Sequence, residues 1–135
     1  MPARIDIRPL PCHEGPNADT GPKRLFFPQG EFALLHPACP EIRFLAFLGF
    51  KPGIPRGGHY HPGKTECFYL LHGEVELTTR DRESGETAVH RLKAGDLVTM
   101  SPNIEHRYLA AAEAEAIEFS ATPWAAEDTI KVNPA

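Results

Sequence analysis

The sequence predicts an all-β fold, a sandwich or barrel of short strands. Its apolar residues fall in short runs that turn residues interrupt roughly every 8 to 12 positions, and no helical period is sustained. The placement of proline supports this interpretation: of 14 prolines, 11 lie at or before Pro62 and none lies between Gly63 and Ser101. Because proline cannot donate to a strand ladder, residues 63–101 are the stretch in which an uninterrupted ladder can form.

The predicted strands share short length, apolar or alternating character, and turn residues at their ends. In chain order they cover residues 41–50, 66–72, 74–80, 87–92, 97–100 and 106–111, with one more strand after the stretch 110–116. That last stretch has high helix propensity, but Glu113 and Glu115 alternate with alanine, as a strand requires. We therefore predict a turn that leads into a strand there.

The length of 135 residues predicts one domain with a single core. Prolines are spread through residues 1–30, which predicts an irregular N-terminal arm lying over the body. We assign residues 31–121 to the barrel and residues 122–135 to a C-terminal tail.

Composition excludes several classes of function. The net charge of −4 leaves no excess of basic residues for a phosphate backbone, so we expect no nucleic-acid partner. No apolar stretch approaches the roughly 18 residues of a membrane helix, and the start lacks the order of a secretory signal, so we expect a cytoplasmic protein with no membrane partner. Cys12, Cys39 and Cys67 form no closely spaced pair, which predicts free thiols.

Three histidines and a glutamate form the candidate site. His59 and His61 lie two apart in an extended segment, so both imidazoles project from one face. Glu66 follows the turn 62–65 and can fold back towards them, and His106 begins a later strand after another tight turn. Such a set suits a divalent transition metal, namely Fe, Mn, Ni or Zn, with one or two positions left for water or substrate.

The spacing around these residues resembles the first motif of the cupin superfamily at every fixed position. It runs Gly53, five residues, His59, one residue, His61, four residues, Glu66, six residues and Gly73. Residues 95–106 resemble the second motif, which ends at His106. There Ser101 stands in place of the usual proline, Asn103 in place of glycine, and Ala110 in place of a later asparagine.

This resemblance covers roughly residues 40–120. It implies a cupin-type double-stranded β-helix, which is a jelly-roll barrel, with a metal bound by His59, His61, Glu66 and His106, and a homodimer. The strand at 66–72 is also apolar on its outer face, at Cys67, so a second sheet or a second subunit must cover it.

Other residues have weaker assignments. By alternation Tyr108 points inward with His106, which makes it the candidate catalytic residue, either as a proton donor or as a hydrogen-bond partner of a ligand residue. Phe68 and Leu70 share the face of Glu66 and are expected to wall an apolar pocket for a small molecule. The remaining histidines are expected at the surface; they are His13, His36, His72 and His90.

A phosphate-binding loop is excluded by context. Residues 58–65 fit the Walker A pattern, but the following run at 66–72 is short, apolar and closed by Gly73, so the helix that such a loop needs is missing.

Residues 56–62 also resemble a stretch of cupins that modify nucleotide sugars, such as keto-sugar isomerases. The resemblance implies an isomerase-like or epimerase-like enzyme for a small carbonyl or sugar-type substrate, in which a histidine acts as base and Arg56 and Lys64 hold a diphosphate. A metal on His59 and His61 would compete with their use as bases, since a coordinated imidazole has no free lone pair. An Fe-dependent dioxygenase and a non-catalytic ligand-binding barrel are the alternatives.

Overall fold

The computed structural model describes residues 4–132, and it consists almost entirely of β-strands. The strands are β1 (Ile5–Pro9), β2 (Cys12–Glu14), β3 (Lys23–Phe27), β4 (Gly30–Leu34), β5 (Phe44–Phe50), β6 (Arg56–Tyr60), β7 (Glu66–His72), β8 (Glu74–Asp81), β9 (Thr87–Lys93), β10 (Asp96–Met100), β11 (Ile104–Leu109), β12 (Ala114–Ser120) and β13 (Ile130–Lys131). Two short 3₁₀ turns occupy His36–Ala38 and Ala126–Asp128.

Two five-stranded antiparallel sheets form the jelly-roll barrel. One has the order β1-β10-β7-β12-β5 and the other the order β13-β6-β11-β8-β9. Neighbours within each sheet are mostly distant in sequence, as in a jelly roll, whose strands cross between sheets. The predicted all-β, jelly-roll class is therefore confirmed.

The barrel core consists of inward side chains from both sheets. Phe68, Leu70 and Leu77 are completely buried within it, and Tyr108 stacks on Phe68 with ring centroids 4.4 Å apart and planes 12° apart. Burial of each such large apolar side chain contributes about 1.5–3 kcal/mol to stability. These residues alternate along their strands with outward ones, which is why the period of two located most strands correctly.

A second apolar cluster covers the outer face of β7. Cys67 and Tyr69 pack there with Leu10, Cys39 and Phe119. Side chains from the N-terminal part of the same chain therefore cover this apolar face. Leu71, farther along β7, is 43% exposed.

The irregular arm predicted for residues 1–30 is corrected by the structure. β1 pairs with β10 over five positions and extends a barrel sheet, while β2, β3 and β4 form a small separate sheet. Proline did not prevent this because Pro9 ends a strand at the sheet edge, where an N–H is not needed, and the other prolines of this region within the described residues lie between strands. The bounds of the barrel at 31–121 and of the tail at 122–135 stay a prediction, and residues 1–3 and 133–135 lie outside the described residues.

Strand boundaries differ from the prediction by a few residues. β7 matches 66–72, but β5 begins at Phe44 instead of residue 41. β11 begins at Ile104, two residues early, because Asn103 makes the turn in the left-handed region (φ 66°) and Ile104 already pairs with Asp81. The alanine-rich stretch is a turn followed by β12, as predicted.

All three cysteines are free thiols, and Cys39 and Cys67 are buried. Within residues 4–132 no helix has the length and apolar character to span a membrane.

Candidate functional site

Three histidines converge inside the barrel: His59 belongs to β6, His61 directly follows that strand, and His106 belongs to β11. One ligand atom from each of His59, His61 and His106 lies within 4.8 Å of the other two. The ring centroids are 4.9 Å apart for His59 and His61, and 4.7 Å apart for His59 and His106. His61 and His106 are buried and His59 is half-buried, so the cluster is most open to solvent at His59.

A bulge in β6 aligns His59 with His106. His106 pairs with His59 but the next residue, Arg107, pairs with Gly57, which leaves Gly58 as the extra residue. Gly57 and Gly58 have φ values of +100° and +77°, and a Cβ on Gly57 would lie 2.8 Å from the carbonyl oxygen of His106. Only glycine fits such a close approach in this conformation, so the two glycines direct His59 into the cluster.

Backbone carbonyls hold two of the imidazoles. His61 Nδ1 lies 2.9 Å from the carbonyl oxygen of Asp128, and His106 Nδ1 lies 3.0 Å from that of Ile104. Because a carbonyl can only accept, each Nδ1 carries the proton and each Nε2 presents a lone pair. Metal-binding histidines are commonly oriented by this kind of contact.

Glu66 faces both of these lone pairs. Its Oε2 atom lies 3.3 Å from His106 Nε2 and 3.7 Å from His61 Nε2, and its side chain is 2% exposed. Among the residues that the structure describes, these three atoms have no hydrogen-bond partner. They are three buried acceptors directed at one another, an arrangement that is unfavourable unless a cation or a proton lies between them.

The environment keeps the histidines neutral. Burial lowers the pKa of His106 to about 4, and burial together with the neighbouring His106 and His61 lowers the pKa of His59 to about 4. Burial also lowers the pKa of His61. Near pH 7 all three are therefore bases with available lone pairs, and the nitrogen and oxygen donor set is compatible with a divalent metal.

Lys64 is a buried cation beside this cluster, and its suggested role in holding a diphosphate stays a prediction. The residue is 5% exposed, with Nζ 3.7 Å from Glu66 Oε1 and 4.0 Å from the centroid of the Phe44 ring. One carboxylate oxygen of Glu66 therefore faces Lys64 while the other faces the imidazoles. Arg56 is exposed and donates to the carbonyl oxygen of Gly49 at 3.0 Å.

Glu118 is a site residue that the sequence analysis missed. It lies on β12 between Ala116 and Ser120, both buried on the inner face. Burial and the neighbouring carboxyl group of Glu66 raise the pKa of Glu118 to about 8. The signal was available, since a charged residue at an inward position of an alternating strand is unusual and marks a functional position.

Tyr108 points into the barrel, as predicted. Its hydroxyl group is buried and has no hydrogen-bond partner within residues 4–132. Burial, with the carboxylates of Glu66 and Glu118, raises its pKa well above the usual value of 10, so it remains protonated. Phe68 and Leu70 are completely buried in the same core cluster as Tyr108, and their role as walls of an apolar pocket stays a prediction.

Two expectations about other histidines have different outcomes. His72 is exposed, as predicted, whereas His90 is half-buried and its Nε2 lies 3.5 Å from Thr79 Oγ1. His90 alternates with exposed neighbours, so it faces the barrel interior and not the surface.

An open cavity of about 500 Å³ lies at the start of β8, the end of β9 and the last residue of β11. Its lining includes Glu74, Leu92, Lys93 and Ala110, and none of the residues that line it belongs to the cluster. The cavity and the histidine cluster are thus separate features of the barrel.

Replacement of Lys64 by methionine tests the charge balance around Glu66. In metal-free protein we expect Lys64→Met to lower the free energy of unfolding by about 3 kcal/mol, because the buried carboxylate loses its nearest cation. The exposed Lys51→Met is the matched control, with an expected change within about 0.5 kcal/mol. Urea denaturation after chelation measures both.

A double variant shows the origin of the loss. Lys64→Met combined with Glu66→Gln should recover part of the stability, because no carboxylate is then left without its cation. If Lys64→Met costs no more than Lys51→Met, the ion pair has no such role.

Comparison with known proteins places the fold. The family model described as "Cupin domain" matches residues 46–121. A search of curated proteins found no match. A sugar 3,4-ketoisomerase, QdtA from Thermoanaerobacterium thermosaccharolyticum, superposes with a TM-score of 0.77 at 13% identity, covering 98% of this chain and 90% of that one.

Two further solved structures are similar. The TDP-quinovose 3,4-ketoisomerase WlaRB from Campylobacter jejuni has a TM-score of 0.76 at 14% identity, covering 95% of this chain and 92% of that one. The 3'-monoepimerase ChmJ from Streptomyces bikiniensis has a TM-score of 0.69 at 16% identity, covering 84% and 67%. At such identities the likeness concerns the fold. The family model spans more than half of the sequence, and it establishes that this chain belongs to the cupin family.

Proposed function

We propose that this chain is an isomerase-like or epimerase-like enzyme that acts on a small carbonyl or sugar-type substrate at a metal centre. The proposed metal ligands are His59, His61, Glu66 and His106. The observation that carries the proposal is the set of three buried acceptor atoms on His61, His106 and Glu66, which have no donor among the described residues. A divalent metal would satisfy all three at once.

The donor set leaves the metal's identity open. Three imidazoles and one carboxylate suit Fe, Mn, Ni or Zn, and no cysteine belongs to the cluster to favour a softer ion. When bound, such a metal would supply a Lewis acid that polarises a substrate oxygen.

The chain's own residues then have separate tasks. The substrate is expected to approach at His59, the half-buried member of the cluster. Coordinated imidazoles cannot also accept protons, so proton transfer requires another group. We propose Tyr108 as the group that donates a proton to the substrate oxygen, because its O–H is buried, stays protonated and has no partner within the described residues. The proton removed from carbon would go to the ionised form of Glu118, whose pKa is about 8.

The substrate class is supported by the fold neighbours. QdtA binds TDP and, as a variant, TDP-4-keto-6-deoxyglucose, WlaRB is a TDP-quinovose 3,4-ketoisomerase, and ChmJ binds dTDP-quinovose. In this chain Lys64 is buried beside Glu66, whereas Arg56 is exposed and donates one hydrogen bond to the carbonyl oxygen of Gly49. The proposal is accordingly for a carbonyl or sugar-type substrate, without a commitment to a nucleotide.

A homodimer and a cytoplasmic location remain predictions. The dimer is supported by β5, an edge strand without a single charged residue, on which Leu45 is 64% exposed and Phe47 is 61% exposed. An uncharged edge strand with exposed apolar side chains is suited to pair with a second copy.

Metal content tests the centre. We expect purified protein to retain about one equivalent of a divalent metal, and Glu66→Gln to lower its affinity at least 10-fold because a charged ligand is lost. Glu115→Gln, an exposed change on β12, should bind like the unmodified protein. Elemental analysis and titration with cobalt would measure this, and equal affinity in both variants would contradict the centre.

Hydrogen exchange into a keto-sugar tests the reaction. Isomerisation removes a proton from a carbon next to the carbonyl and returns a proton to a neighbouring atom, so incubation in D₂O should place deuterium on the sugar. The probe is TDP-4-keto-6-deoxyglucose alongside a free ketose, followed by NMR.

We expect exchange with the unmodified protein, less exchange after chelation, and a reduction of at least 100-fold with Tyr108→Phe. Fe-dependent consumption of O₂ would favour a dioxygenase instead. Tight binding of the sugar without exchange would indicate a non-catalytic barrel, and either result would overturn the proposal.

A further inference from the structure

We infer that residues 126–132 form a clamp that positions His61, and that Asp128 is the positioning residue within it. The importance of this clamp for metal binding rests on the proposed function. The contacts between the clamp and His61 do not depend on the proposed function, because they are contacts within the chain itself.

The clamp lies along the strand that carries the histidines. β13 pairs with β6, so that Ile130 is opposite Tyr60 and Lys131 is opposite His59. The Val132 N–H also donates to the carbonyl oxygen of Gly58 at 2.9 Å. Backbone bonds thus fix this segment against β6, from the bulge to the point where β6 ends.

Asp128 contacts both the His61 ring and the turn that follows His61. Its backbone carbonyl accepts from His61 Nδ1 at 2.9 Å, and its side-chain Oδ1 accepts the N–H of Gly63 at 2.8 Å. A Cβ on Gly63 would lie 3.3 Å from the same Oδ1 atom, so the turn after His61 closes directly on this carboxylate. One residue therefore holds the imidazole and the turn that follows it.

Thr129 reinforces the contact. Its Oγ1 atom lies 3.4 Å from His61 Nδ1, and both Asp128 and Thr129 are half-buried whereas Glu127 is exposed. The side of the ring opposite the cluster is consequently enclosed by the clamp, and the ring presents Nε2 to Glu66.

These contacts fix a chemical property of His61 in addition to its position. With Nδ1–H donated to a carbonyl, the lone pair must lie on Nε2, which is the atom that faces Glu66 Oε2 at 3.7 Å. Loss of a partner that orients a metal-binding histidine typically costs 10- to 100-fold in metal affinity. A segment that merely covered the barrel would not control the tautomer.

Three variants separate positioning from covering. Asp128→Ala removes the carboxylate that holds the turn, Asp128→Asn keeps an oxygen that can accept from Gly63, and Glu127→Ala is the matched control on an exposed neighbour. In chelated protein, ¹⁵N NMR should show the Nδ1–H tautomer of His61 in the unmodified chain, in Asp128→Asn and in Glu127→Ala. Asp128→Ala should show a mixture of tautomers.

Zinc or cobalt titration gives the second measurement. We expect affinity to fall about 10-fold in Asp128→Ala and to return to within about 3-fold of the original in Asp128→Asn. If Asp128→Ala retains both the tautomer and the affinity, the inference is wrong. If the unmodified protein binds no metal while the tautomer still changes in Asp128→Ala, the clamp is supported and the proposed function fails.

Hydrogen exchange on the unmodified protein keeps the inference testable if Asp128→Ala does not fold. The Gly63 amide, bonded to Asp128, should be protected from exchange. Exchange at the rate of an open, solvated turn would show that the clamp is not closed and would overturn the inference.

Discussion

Three acceptor atoms that face one another, with no donor between them in the described chain, are the constraint on which the rest of the site depends. Two are imidazole nitrogens whose protons are already committed to backbone carbonyls, and the third is an oxygen of Glu66. Such a group is unfavourable when left unpaired in a buried position. The barrel maintains it, which is the physical reason to place a cation at the cluster.

The fold supplies this geometry from several directions. A two-glycine bulge in β6 directs His59 into the cluster. The clamp holds His61, and Glu66 is the first residue of β7 in the facing sheet. The negative charge of Glu66 is balanced locally, because Lys64 lies beside one of its oxygens and the raised pKa of the neighbouring Glu118 keeps that group mainly uncharged at pH 7. The site is therefore assembled from both sheets and from the segment that follows the barrel.

The sequence predicted the barrel strands well because alternation reports directly which side chains face the core, as in β7 and β8. It predicted the convergence of the histidines because their spacing limits where a strand and a turn can place them. It missed β1 to β4, since the prolines of this region lie between strands or at the end of a strand, where a ladder N–H is not needed. It also missed Glu118 and Asp128, whose roles depend on pairings between residues more than 50 positions apart in the chain.

Anomalous X-ray scattering from crystals grown with zinc tests the central claim most directly. The account predicts one strong zinc peak among the three imidazoles, about 2.0–2.2 Å from His61 Nε2, His106 Nε2 and Glu66 Oε2. A cluster without a peak, in a crystal where zinc occupies other positions, would contradict it. So would a peak bound by water alone, with those Nε2 atoms directed elsewhere.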